Sequence, residues 1–217
     1  MQPWDWTLLA GETNASLVLS NVDLWDDWTW VSVSVSNAAG ETLWLGPAVL
    51  SVYPLPIAIP GAGSVGPAQR YPATINVRGM PTNLASVRVI LYYLSHSRPD
   101  DLDILVVSPS GKMIVLMSDA GGNTAVTNVT LVFEQIYGPP PDSDPIGSWQ
   151  THYFCPANYG TPEETQLPGA PPGPYSTNLY DLVGDNPNDV WSLYIYDDST
   201  GSTGILLGSW WLEFTFQ

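Results

Sequence analysis

An all-β fold is expected for this 217-residue chain: a jelly-roll-like β-sandwich preceded by a smaller β element. Three observations predict it. Apolar residues recur with period two in several segments, and no long segment carries the 3.6-residue period of a helix. The 21 prolines and 19 glycines are scattered along the whole chain, as punctuation between short strands. Apolar residues make up 44% of the chain, ample for a packed core.

The elements follow in chain order. Residues 15–22 alternate apolar and polar side chains and read as a strand. The acidic pair Asp26-Asp27 leads into a second strand over residues 29–36, where Val31, Val33 and Val35 share one face. Asn37-Ala38-Ala39-Gly40 is a turn, and residues 41–52 form the third strand. Residues 53–67 mix spaced prolines with Gly61-Ala62-Gly63, the composition of an extended linker with a hinge. The main body is expected over residues 68–217. Leu102, Ile104 and Val106 share a face, Ser108-Pro109-Ser110-Gly111 supplies a tight turn, and residues 112–116 return as the partner strand. Residues 138–178, Pro-rich at both ends, form a long loop whose Trp149, Tyr153, Phe154 and Tyr159 must pack on something, its own sandwich or a partner. Alternation returns at Trp191, Leu193 and Ile195, then at Trp210, Leu212, Phe214 and Phe216, which places both tryptophans in the core.

Two families are resembled. His96, Asp101-Leu102, Ser108-Pro109-Ser110-Gly111 and Leu116, then Gly184, Trp191, Leu193, Asp197, Gly204, Trp210 and Leu212, stand in the order found in the P domain. That β-sandwich follows the catalytic domain of kexin- and furin-like proteases and also occurs in bacterial surface proteins without a protease. The resemblance covers residues 68–217 and implies a binding or stabilising module without an active site. Residues 13–52 resemble the last three strands of a bacterial immunoglobulin-like domain, with valine where its cysteine would stand. Three such strands leave an apolar sheet face and an unpaired edge, which either the second domain or another chain covers, the extended linker favouring another chain.

The charge balance excludes some partners. Five basic residues, Lys112 the only lysine, oppose 21 acidic ones, a net charge of −16. Nucleic acid and anionic lipid are repelled; divalent cations and basic partners are favoured. No apolar run is long enough to span a membrane, so membrane insertion is not expected. The first residues lack the basic start and apolar stretch of a signal peptide, which suits either a piece of a longer secreted protein or a virion protein.

Catalysis is not expected. The histidines are His96 and His152, and no G-x-S-x-G nucleophile turn occurs. His152 and Cys155 lack a second pair to complete a tetrahedral metal site. A lone cysteine excludes a disulfide within the chain. Calcium is the candidate cofactor. Asp100, Asp101 and Asp103 gather at one strand start, and Asp197-Asp198 opens a Ser-Thr-Gly turn. The candidate ligands are Asp101, Asp103, Asp197 and Asp198, since oxygen-rich loops suit a hard cation. The resemblance adds that some P domains bind calcium. Asp197 has a simpler reading beside this one. It shares the inward parity of Trp191, Leu193 and Ile195, and would accept backbone N–H groups of its turn. Asn14-Ala15-Ser16 and Asn128-Val129-Thr130 fit the glycosylation sequon.

Of the ten tryptophans, Trp4, Trp6, Trp25, Trp28, Trp30, Trp44 and Trp149 are not claimed by the core. Exposed tryptophan anchors interfaces, and Trp28, Trp30 and Trp44 are the expected contacts with other chains, through self-assembly or a lattice partner. Stacking on glycans is the alternative. Three functions are therefore compatible with the sequence. The first is a structural or adhesion subunit of a virion surface or extracellular filament. The others are the ancillary P domain of a secreted subtilisin-like protease, and a carbohydrate-binding module.

Overall fold

A computed structural model describes residues 6–20, 22, 26–52, 55–161 and 167–217. The chain divides into two units, Met1–Val52 and Tyr53–Gln217. Trp4 and Trp25 lie outside the described residues.

The first unit contains one antiparallel hairpin, β1 (Trp30–Ser36) and β2 (Thr42–Val49). Asn37 builds its turn: the side-chain Oδ1 accepts the backbone N–H groups of Ala39 and Glu41, and Gly40 takes φ +84°. The strand expected over residues 15–22 is not formed among the described residues: 15–20 and 22 lie in bends and irregular chain. Alternation gives a segment the capacity to pair, but an edge must stand beside it. The cross-strand pairs sort the faces. Val33 stands opposite Leu45 and Val35 opposite Leu43, which makes one apolar face. Ser34 opposite Trp44 and Ser36 opposite Thr42 make the other. Valines and tryptophans thus lie on both faces of a hairpin whose large apolar side chains are exposed, Trp44 to 69%.

The second unit is a β-sandwich of two six-stranded sheets. Its strands are β3 (Ile57–Ile59), β4 (Gly66–Pro67), β5 (Ala73–Val77), β6 (Leu84–His96), β7 (Leu102–Val107), β8 (Met113–Ser118), β9 (Val126–Phe133), β10 (Thr151–Phe154), β11 (Ala157–Asn158), β12 (Asp189–Asp197), β13 (Gly204–Leu206) and β14 (Trp210–Phe216). One sheet runs β10-β9-β6-β13-β3, with β14 also on β6; the other runs β11-β8-β7-β12-β4, with β5 also on β12. The long β6 serves two partners, pairing with β14 along its first part and with β13 at its end.

The interior follows the expected parity. Leu102, Ile104, Val106, Leu193, Ile195, Trp191 and Trp210 are all buried. The Trp191 indole N–H donates to the Pro187 carbonyl at 2.8 Å, so this large ring enters the core with its polar atom satisfied.

Two segments differ from expectation. Residues 57–67, read as linker, belong to the sandwich. Ile57 and Ile59 are buried and β3 pairs with β13, while β4 pairs with β12. The spaced prolines bound short edge strands here, positions where a missing N–H costs little. Gly61 then turns the chain so tightly that a Cβ would stand 2.6 Å from the Gln69 Cα. The segment 138–178 folds over its own sandwich. It supplies β10 parallel to β9, β11 parallel to β8, and a bridge from Ser176 to Ile114. Its Leu167 closes a second small core with Leu105, Val115 and Tyr194 on the outer side of β7, β8 and β12. Strand β7 is therefore covered on both faces.

Candidate functional site

Chemistry-bearing side chains converge at one end of the sandwich, where β6 ends and β7 begins. Between them, Pro99–Asp101 forms a single 3₁₀ turn. The residues after β8 and after β12 reach the same end. Backbone bonds tie these loops together: the Asp198 N–H donates to the Asp101 carbonyl at 3.0 Å, and the Asp100 N–H to the Gly122 carbonyl at 3.3 Å. Gly121 and Gly122 donate to the carbonyls of Pro141 and Asp142 at 2.7 and 3.1 Å. Asp119 has φ +50° and Gly122 φ +62°, and a Cβ on Gly122 would meet the Ser143 carbonyl oxygen at 2.2 Å. Only glycine fits there.

Two groups of side chains result. The first is sealed. His96 Nε2 stands 3.2 Å from Asp197 Oδ2, and His96 Nδ1 lies 2.8 Å from the Arg98 carbonyl oxygen and 3.3 Å from the Arg98 N–H. The Ser202 hydroxyl stands 3.0 Å from each Asp197 oxygen, and the Ser199 N–H donates to Oδ1 at 3.2 Å. The side chains of His96 and Asp197 are 0% exposed. Gly204 packs flat against the imidazole, where a Cβ would approach the His96 Cδ2 to 2.3 Å. Histidine, aspartate and serine are thus joined, but the carboxylate lies between the other two. The serine hydroxyl donates its hydrogen bond to the carboxylate and is not bonded to the imidazole, so the order of the three differs from that of a nucleophile–histidine–carboxylate triad.

The second group is acidic. Asp103 and Asp101 are 2% and 5% exposed, and the Oδ2 atom of each is buried without a hydrogen-bond partner. Burial pushes the Asp103 carboxyl up to about 7, with Asp198 and Asp119 adding to the rise and a hydrogen bond from Ser118 opposing it. Burial, followed by Asp119, Asp101 and Asp197, pushes Asp198 up to about 6. Asp100 is raised by burial, then by Asp119, Asp101 and Asp142. Arg98 Nε is 3.6 Å from Asp101 Oδ2, too long for a hydrogen bond, and its guanidinium is already bonded to Asn123 at 3.1 and 2.8 Å.

Of the predicted ligands, Asp101, Asp103 and Asp198 are brought together, whereas Asp197 is drawn into the histidine pair. Sequence reasoning missed Asp119. Its signal was an aspartate directly before Ala120-Gly121-Gly122, a run that permits a tight loop after a strand. Among the described residues, no three His, Cys, Asp or Glu side chains are already arranged to hold a metal ion. His152 stacks on Phe154 at 5.9 Å, its Nε2 is buried without a partner, burial pushes its imidazole below the ordinary histidine value, and Cys155 is free. Trp28 and Trp30 precede or open β1, Trp44 lies in β2, and all three are exposed. No helix among the described residues is long and apolar enough to cross a membrane.

The outer face of the first sheet carries an aromatic strip absent from the sequence reading. Registers place Trp211, Ile90, Val132 and Tyr153 in one row across β14, β6, β9 and β10. The Tyr137 ring lies 5.1 Å from Tyr153, and Arg88, bonded to Glu134 at 2.7 Å and to Glu213 at 3.4 Å, stands in the next row.

No family model matches the chain, and no curated protein does. Solved structures similar to it include two of one protease. One is the crystal structure of a serine protease of Aeromonas sobria, 16% identical over 85% of this chain, with a TM-score of 0.35. The other is that protease in complex with its chaperone, 15% identical over 84% of this chain, also with a TM-score of 0.35. The chain spans about a third of each, covering 33% and 36% of those chains.

Proposed function

We propose that the chain is a non-catalytic structural or adhesion module of a larger extracellular or virion-surface assembly, with a P-domain-like sandwich as its body and the hairpin as its contact element. The observation that carries this reading is the hairpin: two strands with apolar side chains on both faces, among them Val33, Val35, Leu43, Leu45, Trp30 and Trp44. An isolated two-stranded hairpin is marginal in water, and added strands or a partner surface would stabilise it. The sealed His96–Asp197–Ser202 group supports the absence of catalysis, because neither a nucleophile nor a base in it reaches solvent.

Native mass measurement tests the reading. The full chain is expected to form oligomers. Truncation at residue 52 is expected to leave a folded monomeric sandwich, whereas truncation beyond Ile59 removes β3 and should destabilise it. Replacing Trp30 and Trp44 together with serine should reproduce the monomer without lowering the melting temperature of the body. A full chain that stays monomeric at high concentration sinks the assembly reading, and turnover of a peptide or ester substrate sinks the non-catalytic one.

The aromatic strip favours a second reading, a carbohydrate-binding module. Its exposed Tyr153 and Tyr137 offer ring faces for stacking, with Arg88, Glu134 and Glu213 beside them as hydrogen-bonding groups. Binding to an array of neutral glycans, lost in Tyr153→Ala, would select it. An ancillary role beside a protease remains the third reading, supported by the P-domain resemblance of residues 94–135 and 179–216.

A further inference from the structure

We infer that the outer edge of β1 pairs with β1 of a second copy of this chain, the two strands running antiparallel about a two-fold axis at Val33. The inference rests on the assembly reading of the hairpin and adds its partner, its edge and its register.

The first support is the strand itself. Val31-Ser32-Val33-Ser34-Val35 reads the same in both directions. A two-fold interface sets a surface against itself, so it needs a self-complementary element. With Val33 opposite Val33 of the second copy, Val31 stands opposite Val35, Ser32 opposite Ser34 and Trp30 opposite Ser36. Each valine then gains an apolar cross-strand neighbour on its own sheet face. Val33 is also the midpoint of Trp30–Ser36, so this register pairs the strand over its whole length. A slip of one residue would set every valine against a serine. Val33 and Val35 are 51% and 55% exposed within one chain.

The second support is the direction of the backbone groups. The Asn37 N–H donates to the Glu41 carbonyl at 3.0 Å, and the register runs unbroken from there to the pair Val33–Leu45. Alternation along an antiparallel pair turns the N–H and C=O of Val35 and Val33 toward β2, and those of Ser34 and Ser32 away from it. Ser32 and Ser34 are the two residues that exchange backbone bonds in the register centred at Val33. Among the described residues, β1 has β2 as its ladder partner and its other side open. That side lacks the usual guards, since residues 28–36 include neither a charge nor a proline. The outer edge of β2 is guarded: Pro47 has no N–H, and the register breaks opposite Val31 and Val33. The charges nearest to β1 are occupied within the chain. Asp27 accepts the Val52 N–H at 2.8 Å, and Glu41 accepts from the Asn37 amide at 2.7 Å. Two chains of net charge −16 repel, so pairing through an uncharged strand should tighten as salt is added.

Sedimentation of the full chain and disulfide trapping in a Cys155→Ser background test this. The full chain is expected to be dimeric and Ser34→Pro monomeric at the same concentration. That proline removes an outward N–H, which an edge strand tolerates, and leaves the bonds to β2 in place. The dissociation constant of the dimer should fall as salt is raised. Under mild oxidation Val33→Cys should cross-link to itself, because directly opposed Cβ atoms stand about 4.5–5.5 Å apart. Val35→Cys should cross-link with Val31→Cys and not with itself. A monomeric full chain would overturn the assembly reading and this inference together. A dimer that survives Ser34→Pro, or one in which Val33→Cys fails to cross-link, would overturn this inference alone and leave assembly to another surface. A dimer that weakens as salt is raised would be held by ion pairs, which also overturns it.

Discussion

Replacing Trp210 with alanine is expected to destabilise the sandwich by about 3–5 kcal/mol. Trp210 opens β14 opposite Leu91 of β6 and is 1% exposed, so truncation leaves a cavity between two sheets that cannot collapse around it. In a domain of this size that loss corresponds to a fall in melting temperature of roughly 10 °C. Thermal unfolding followed by tryptophan fluorescence and circular dichroism measures it. A fall of only a degree or so would place Trp210 outside the core.

Asp197→Ala should be comparably severe, about 3–5 kcal/mol, because it breaks a buried pair and leaves its partners stranded. His96 Nε2 and the Ser202 hydroxyl both lose their Asp197 partner in a place where water cannot substitute. Ser202→Ala removes one donor and should cost only about 1 kcal/mol. Urea unfolding of the two variants separates these values. Equal, small effects would mean that the network is solvated and that Gly204 alone positions the histidine ring.

Much of the sandwich is legible in the sequence, because two-residue periodicity maps directly onto the faces of a strand. The inward parity of Leu102, Ile104 and Val106, and of Trp191, Leu193 and Ile195, holds in the structure. The same parity placed Asp197 inside, and as the turn-forming acceptor it takes the Ser199 N–H and the Ser202 hydroxyl. Other features need tertiary information. Ile57-Ala58-Ile59 is too short to show a period, and its flanking prolines look like a spacer until β13 stands beside it. Leu105 and Val115 lie on the face that alternation assigns to solvent, and they are buried only because Leu167 arrives from the far segment. Asp119 is distant in sequence from Asp101 and Asp198, so the acidic group is visible only once the β7–β8 hairpin and β12 bring the segments together. The reverse failure occurs at residues 15–22, where sound alternation finds no neighbouring edge.

The pairing of β3 with β13, and of β6 with β14, has a consequence for synthesis. Residues 57–59 wait for residues 204–206, and residues 84–91 wait for residues 210–216. A chain emerging from a ribosome therefore cannot close the first pairing until residues 204–206 are out, nor the second until residues 210–216 are out. Such distant partners make folding slow. During that interval Ile57, Ile59, Val87 and Val89 lie along open strand edges of an unfinished chain, vulnerable to proteases and to pairing with their own copies. A module of this topology therefore acquires its resistance to proteolysis only once residues 210–216 have reached β6.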